Sequence, residues 1–366
     1  MNVYVHFPFC RAKCTYCALL SRAGATDAAR RRHVERCARE VRQYGKRTDG
    51  AEQTVYFGGG TPALCDLTPL FDAVSETMGA VAEWTVELHP HDVTEPLLAQ
   101  LRAGGVNRIS LGVQSFSDRV LAEMNRGYAA DEARAAFQTI RAAGFQNAGL
   151  DLIAGWPGVT DEMWRRTLDA ACALEPVHMS VYTLIREPGT LLDRRVRQKQ
   201  VVLPDDASAL NHLALAQARL ADAGLARYEV SSFARPGFAC RHNLAVWRGE
   251  DYIGIGEGAH GRQGRQRTVA RREGRETTEL ETDVDDARER ALFALRLTEG
   301  LDLGQTVHRW PCLAPSVRAW RRALTELMPH GIVRSAGSDR FALTARGFEV
   351  CDAVMASLLE AETEAR

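Results

Sequence analysis

Apolar residues in the first half of the chain fall into short runs rich in β-branched and aromatic side chains, and between the runs the apolar positions recur with helical period. The runs lie at residues 3–9 (VYVHFPF), 53–57 (QTVYF), 84–88 (WTVEL), 108–113 (RISLGV), 147–153 (NAGLDLI) and 178–184 (HMSVYTL). The stretches between them predict helices at 27–44, capped by Asp27 and ending at Gly45, and at 67–79, 94–103, 131–143 and 160–174. Strands alternating with helices at about thirty residues per unit predict a parallel sheet with right-handed crossovers. Six such strands predict an α/β fold, an open six-stranded (β/α)6 partial TIM barrel, with a complete barrel as the alternative.

The second half reads differently. Residues 186–204 combine turn residues, arginines and Pro204 and predict a connector leaving the barrel. A helix at 205–223 and a strand at 226–233 follow. Helices at 283–298, 316–328 and 344–361, with short strands at 332–335 and 340–343, make a smaller winged-helix-like pattern. These breaks divide the chain into 1–204, 205–275 and 276–366. The arginine run at 262–275 contains no aromatic residue on which a base could stack, so a solvated hairpin is expected there and no nucleic acid.

Composition narrows the function classes. Lys plus Arg (46) nearly cancels Asp plus Glu (47), leaving no global field to attract nucleic acid or a membrane. The amino terminus lacks a basic region followed by a long apolar run, and no stretch approaches eighteen apolar residues, so neither a secretory leader nor a transmembrane segment is expected. Nine scattered cysteines, an odd number, argue against a secreted disulfide framework and predict a reducing cytoplasm.

Three of those cysteines stand apart. Cys10, Cys14 and Cys17 form C-x3-C-x2-C on the loop after the first strand, the end at which such sheets carry their chemistry. A closed zinc site wants four protein ligands, and the next cysteine, Cys37, lies within a helical pattern. Three soft thiolates suit an iron–sulfur cluster with one iron left open, while fortuitous thiols or a zinc loop with a distant fourth ligand remain the alternatives.

The cysteine spacing, with Tyr16 before the last thiol, resembles the cluster loop of the radical S-adenosylmethionine (SAM) superfamily. That resemblance implies a [4Fe-4S] cluster on Cys10, Cys14 and Cys17, with SAM chelating the fourth iron and cleaved by its electron. Gly58-Gly59-Gly60-Thr61-Pro62 follows the second strand, and no Lys-Ser/Thr pair succeeds it as a P-loop requires. In the superfamily this is the loop that meets the amino group of SAM. Further polar residues fall at strand ends: Glu87, Gln114, Asp151 and, on the loop beyond, Arg126. Carboxylates and Gln can bond ribose hydroxyls and Arg can fork onto a carboxylate, a set that suits a zwitterionic nucleoside.

The order YVHFPFC, FGGGTP, TVELHP, RISLGVQSF, MNR, LDLIAGWPG and the segment from PGFACRHN to GAHG resembles the branch of the oxygen-independent coproporphyrinogen III oxidases. By that resemblance the SAM contacts fall on Tyr4, Tyr16, Gly59, Gly60, Thr61, Glu87, Gln114, Arg126 and Asp151. The true oxidases carry a further cysteine two residues after the cluster, where this chain has Leu19. The chain instead looks like the HemW-type heme chaperones, which implies heme as cargo and respiratory heme proteins as acceptors. The alternative is a coproporphyrinogen III dehydrogenase or another enzyme acting on porphyrinogens. The heme motif H-N-x-x-Y-W corresponds to His242-Asn243-Leu244-Ala245-Val246-Trp247, so His242 is the implied iron ligand, His260 competes with it, and Val246 replaces the tyrosine.

Overall fold

The computed structural model describes residues 1–44, 53–272 and 274–364. Six parallel strands lie side by side in chain order: β1 (Asn2–Phe7), β2 (Gln53–Gly59), β3 (Val81–Leu88), β4 (Arg108–Gln114), β5 (Asn147–Ala154) and β6 (His178–Thr183). Each is a run expected from its apolar residues, followed by a helix over the sheet. The first helix, Asp27–Gln43, is capped by Thr26, whose hydroxyl accepts from Ala29 N, rather than by Asp27, which sits in the first turn. Its expected end, Gly45, lies outside the described residues, as do Glu273 in the arginine run and the last two residues of the chain.

Period two decides which face of each strand does what. Val3, Val5 and Phe7 of β1, Val55 and Phe57 of β2, Trp84, Val86 and Leu88 of β3, and Ile109, Leu111 and Val113 of β4 join the main hydrophobic core. The alternate positions, Tyr4, Thr54, Tyr56, Glu83, Glu87, Arg108, Ser110, Asp151, His178 and Ser180, are polar and point the other way, into the barrel. The outer face is thus sealed by helices, and the lumen keeps hydrogen-bonding groups. At the lower, amino-terminal end of the strands Arg108 is buried and donates to Thr85 Oγ1 at 3.3 Å.

The sheet continues past the six strands. β7 (Ala226–Arg227) and β8 (Ser232–Ala234) extend it antiparallel from β6, replacing the single strand expected at 226–233. On the other side β9 (Tyr252–Ile255) runs parallel to β1, and β10 (His260–Gln263), β11 (Gln266–Arg271) and β12 (Gly274–Glu279) follow antiparallel, giving twelve strands in the order β12-β11-β10-β9-β1-β2-β3-β4-β5-β6-β8-β7. The barrel stays open. The arginine run is therefore a meander, and one expectation for it fails: Arg262 is buried, stacked on Phe293 at 5.3 Å and facing Asp286 and Glu289.

A second hydrophobic core forms around the fully buried Trp320, from Ala287 to Leu358. Its helices include Asp283–Phe293, Ala314–Leu327 and Cys351–Glu364, and its three short antiparallel strands are Leu301–Asp302, Val333–Ser335 and Arg340–Leu343. The strand 301–302 and a helix at Leu303–Arg309 lie where no element was expected. Among the described residues no helix is long and apolar enough to cross a membrane.

Caps hold the barrel helices in place. Thr160 accepts from Met163 N at 3.3 Å and starts the helix Asp161–Cys172. Thr160→Ala is expected to cost about 1 kcal/mol, read as a lower urea midpoint at unchanged slope.

Candidate functional site

The carboxyl ends of the strands open onto a cavity of about 600 Å³, within the range of small-molecule sites. Its walls bring together Cys10, Cys14, Cys17, Tyr16, Gly59, Gly60, Thr61, Glu87, Gln114, Arg126 and Asp151. Eleven residues singled out along 142 positions of sequence thus meet at one place. Tyr4 and His242 do not line it.

The cysteine loop is held from several sides. Thr15 N donates to Met124 O at 3.1 Å and its hydroxyl to Glu123 O at 3.0 Å, while Asn125 Nδ2 donates to Lys13 O at 3.0 Å. Leu192 N donates to Thr15 O at 2.8 Å, so the stretch expected to be a plain connector forms a helix, Leu191–Arg197, that clamps the loop. Tyr16 packs edge-on against Trp156. Behind the loop, buried His6 bonds the Leu20 carbonyl through Nε2 at 2.9 Å and meets the Tyr4 hydroxyl through Nδ1 at 3.0 Å.

The glycine run is explained largely by packing. Gly59 has φ +104°, and a Cβ there would lie 2.4 Å from the His6 ring. A Cβ on Gly60 would meet Phe9 O at 2.4 Å and Cys10 Sγ at 3.0 Å. Only bare backbone lets β2 end against the cysteine loop, and that backbone forms part of the cavity wall. Gln114 has φ +69° at a register slip between β4 and β5, an uncommon conformation for a side chain of this kind. The turn delivers Gln114 to the cavity rather than to the next rung of the sheet.

Two half-buried carboxylates sit on the floor. Tyr56 Oη donates to Glu87 Oε1 at 2.8 Å and Gly59 N to Oε2 at 3.0 Å, while Ser110 Oγ reaches both Asp151 oxygens at 3.1 Å. Burial, with Asp151 nearby, pushes Glu87 up to about 7; burial likewise raises Asp151 against the pull of Ser180 and Arg108. Arg126 donates to Cys14 Sγ at 3.1 Å through Nη1, to Tyr128 Oη at 3.1 Å through Nε, and to Gly112 O through Nη2. Burial raises the Cys10 and Cys17 thiols.

These residues fit the groups that the cysteine motif implies. All nine cysteines are free, and the three of the loop share one partly open wall. Among the described residues no three His, Cys, Asp or Glu side chains converge on a single ion. Facing it, Glu87, Asp151 and Gln114 offer acceptors for hydroxyl or ammonium groups, and Arg126 a cation.

His242 lies elsewhere. It is the second residue of the helix Arg241–Trp247, which plugs the lower end of the barrel beneath Tyr4 and Tyr56, with ring centroids 6.5 and 5.3 Å away. Glu83 caps this helix, accepting from Arg241 N at 3.0 Å, His242 N at 3.1 Å and Cys240 Sγ at 3.3 Å. Thr54 Oγ1 donates to Asn2 Oδ1 at 2.8 Å and meets His242 Nδ1 at 2.9 Å. Burial lowers His242 to about 4, the neutral form that this packing requires. Trp247 donates to Glu229 and stacks edge-on against Phe293 of the second core's first helix. His260, on β10, is exposed and does not line the cavity.

Several wall residues were not expected from sequence: Tyr56, His89, His91, Asp92, Tyr182 and Ile185. Tyr56 and Tyr182 have the inward parity of Gly58 and Ser180 on their strands, and the His-Pro-His-Asp run follows directly on β3, so parity and strand-end position were usable signals.

A sequence profile described as the radical SAM superfamily matches residues 4–171. The chain is 35% identical to the protein named heme chaperone HemW from Mycobacterium tuberculosis, over 98% of this chain and 94% of that protein. It is 36% identical to HemW of Escherichia coli, over 72% of this chain and 70% of that one. Among solved structures it resembles the coproporphyrinogen III oxidase of Escherichia coli, described as a radical SAM enzyme, with TM-score 0.81 at 23% identity over 98% of this chain and 89% of the other. That likeness shows a shared fold. The sequence relatives place the chain in the HemW family of the radical SAM superfamily.

Proposed function

We propose that the protein is a heme chaperone that carries a [4Fe-4S] cluster and SAM in the cysteine cavity and passes heme to acceptor proteins. The near full-length likeness to HemW carries this reading. In it, Cys10, Cys14 and Cys17 hold the cluster as thiolates, and Gly59, Gly60 and Thr61 present backbone to the amino end of SAM. Glu87, Gln114 and Asp151 receive its hydroxyl and ammonium protons, while Arg126 holds a carboxylate beside Cys14. Bound there, the cluster supplies an electron of low potential and SAM a sulfonium able to accept it. The surrounding chain orients both and excludes water: the clamped loop fixes the thiols, and the helix Arg241–Trp247 closes the barrel from below. Respiratory heme proteins are the proposed acceptors and a reducing cytoplasm the proposed setting.

The test is an anaerobic hemin titration of the protein with its cluster rebuilt, paired with an assay on coproporphyrinogen, SAM and reductant. Saturable hemin uptake near one per chain, with no protoporphyrinogen formed, is expected. Protoporphyrinogen accompanied by stoichiometric methionine would instead make the protein a dehydrogenase.

A further inference from the structure

The cysteine loop rests on a small hydrophobic cluster of its own. Val120, Met124, Ile153, Trp156 and Leu192 form it, apart from the main core, and Tyr16 of the loop packs against it. Leu192 reaches the cluster from residues 184–197, a strap that leads from β6 to the cysteine loop. Leu184 N donates to Ala154 O at 2.9 Å, Ile185 and Glu187 line the cavity, and Leu192 N donates to Thr15 O at 2.8 Å. Little else in the strap favours order. Its helix, Leu191–Arg197, has seven residues, too short to persist without tertiary support. Residues 186–199 also carry five cations against two acids, Glu187 and Asp193.

Asp193 draws the strap together. It is 4% exposed, and its carboxylate accepts from Arg186 Nε at 2.8 Å, Gly189 N at 3.0 Å and Arg197 Nη2 at 2.8 Å. Its own N–H donates to the Thr190 hydroxyl at 3.1 Å, which in turn donates to Glu187 O at 2.8 Å. One side chain thus joins the start of the strap, its turn and the last residue of its helix. We infer that Asp193 is a positioning residue for the cysteine loop: it folds the strap, and the strap holds the loop through Leu192. The consequence for iron rests on the cluster reading, whereas the consequence for the order of the loop does not. Asparagine in its place removes the charge that Arg186 and Arg197 share, and its amide nitrogen would face Gly189 N–H or a guanidinium, donor against donor.

Hydrogen exchange of the metal-free, reduced full chain tests this assignment. In Asp193→Asn, peptides covering 12–18 and 186–197 are expected to exchange at least tenfold faster than in wild type, while the helix Asp161–Cys172 exchanges as before. Glu162→Gln, which removes an exposed ion pair to Arg166, is the control and is expected to leave 12–18 unchanged. Reconstituted Asp193→Asn is expected to lose iron to a chelator at least tenfold faster than wild type. Faster exchange confined to 186–197, equal acceleration in the helix Asp161–Cys172, or a 12–18 peptide as fast in wild type as in the variant overturns the assignment. Should wild type take up no iron, the cluster reading falls, and exchange at 12–18 alone decides the role of Asp193. If Asp193→Asn fails to fold, Arg186→Gln/Arg197→Gln, at two exposed positions, takes its place; faster exchange at 12–18 is expected there too, and an unchanged rate overturns the assignment.

Discussion

Glu87→Gln is expected to make the protein more stable at pH 8.5, less stable at pH 5, and at least tenfold weaker in SAM binding. The folded carboxyl titrates near 7 against an ordinary 4.5. The folded state therefore holds the proton more tightly than the unfolded chain, and stability linked to this group is complete below pH 4.5 and lost as pH rises through 7. A shift of that size corresponds to about 3 kcal/mol. The amide carries no such loss, but it cannot accept from both Tyr56 Oη and Gly59 N, which costs about 1–2 kcal/mol at every pH. Melting curves of the two proteins should accordingly cross between pH 5 and 8. Flat, parallel melting profiles of the two proteins would contradict the raised titration of Glu87.

Gly60→Ala is expected to cost about 3 kcal/mol and most of the iron. The new methyl would press on Phe9 O and Phe7 O, carbonyls that accept from Thr61 N at 2.7 Å and Gly60 N at 2.8 Å, and on the Cys10 sulfur. Backbone on both sides leaves no flexible side chain to yield, so β2 and the cysteine loop must part. Gly79→Ala is the control, since its Cβ would meet only Gln53 Nε2 at 3.7 Å. Thermal melts and iron content of both variants check the contrast; equal iron in the two would show that the cysteine loop does not depend on this contact.

The strands and the walls of the cavity were legible because their signals are local. A β-branched run, a glycine turn and a polar residue at a strand end each lie within about ten residues of sequence, and the parallel fold then stacks those ends at one rim. What escaped depends on contacts between distant segments. Glu83 caps a helix 158 residues away, and β9 pairs with β1 across 250 positions. Likewise the connector's role as a clamp rests on one bond from Leu192 to Thr15. The surroundings of His242 also come from distant segments, Thr54, Tyr56 and Glu83. The solvated reading of the arginine run fails at Arg262 for a similar reason, because the carboxylates it faces, Asp286 and Glu289, belong to a helix of the second core.

Iron, sulfide and zinc content of protein purified and reconstituted under nitrogen, compared with the Cys10→Ala/Cys14→Ala/Cys17→Ala variant, tests most directly whether these three thiols carry a cluster. About four iron and four sulfide per chain are expected in wild type, with a brown colour and an electron paramagnetic resonance signal of the reduced protein that changes on adding SAM, and none of these in the variant. Iron and colour unchanged in the variant, or zinc in place of iron in wild type, would contradict the account.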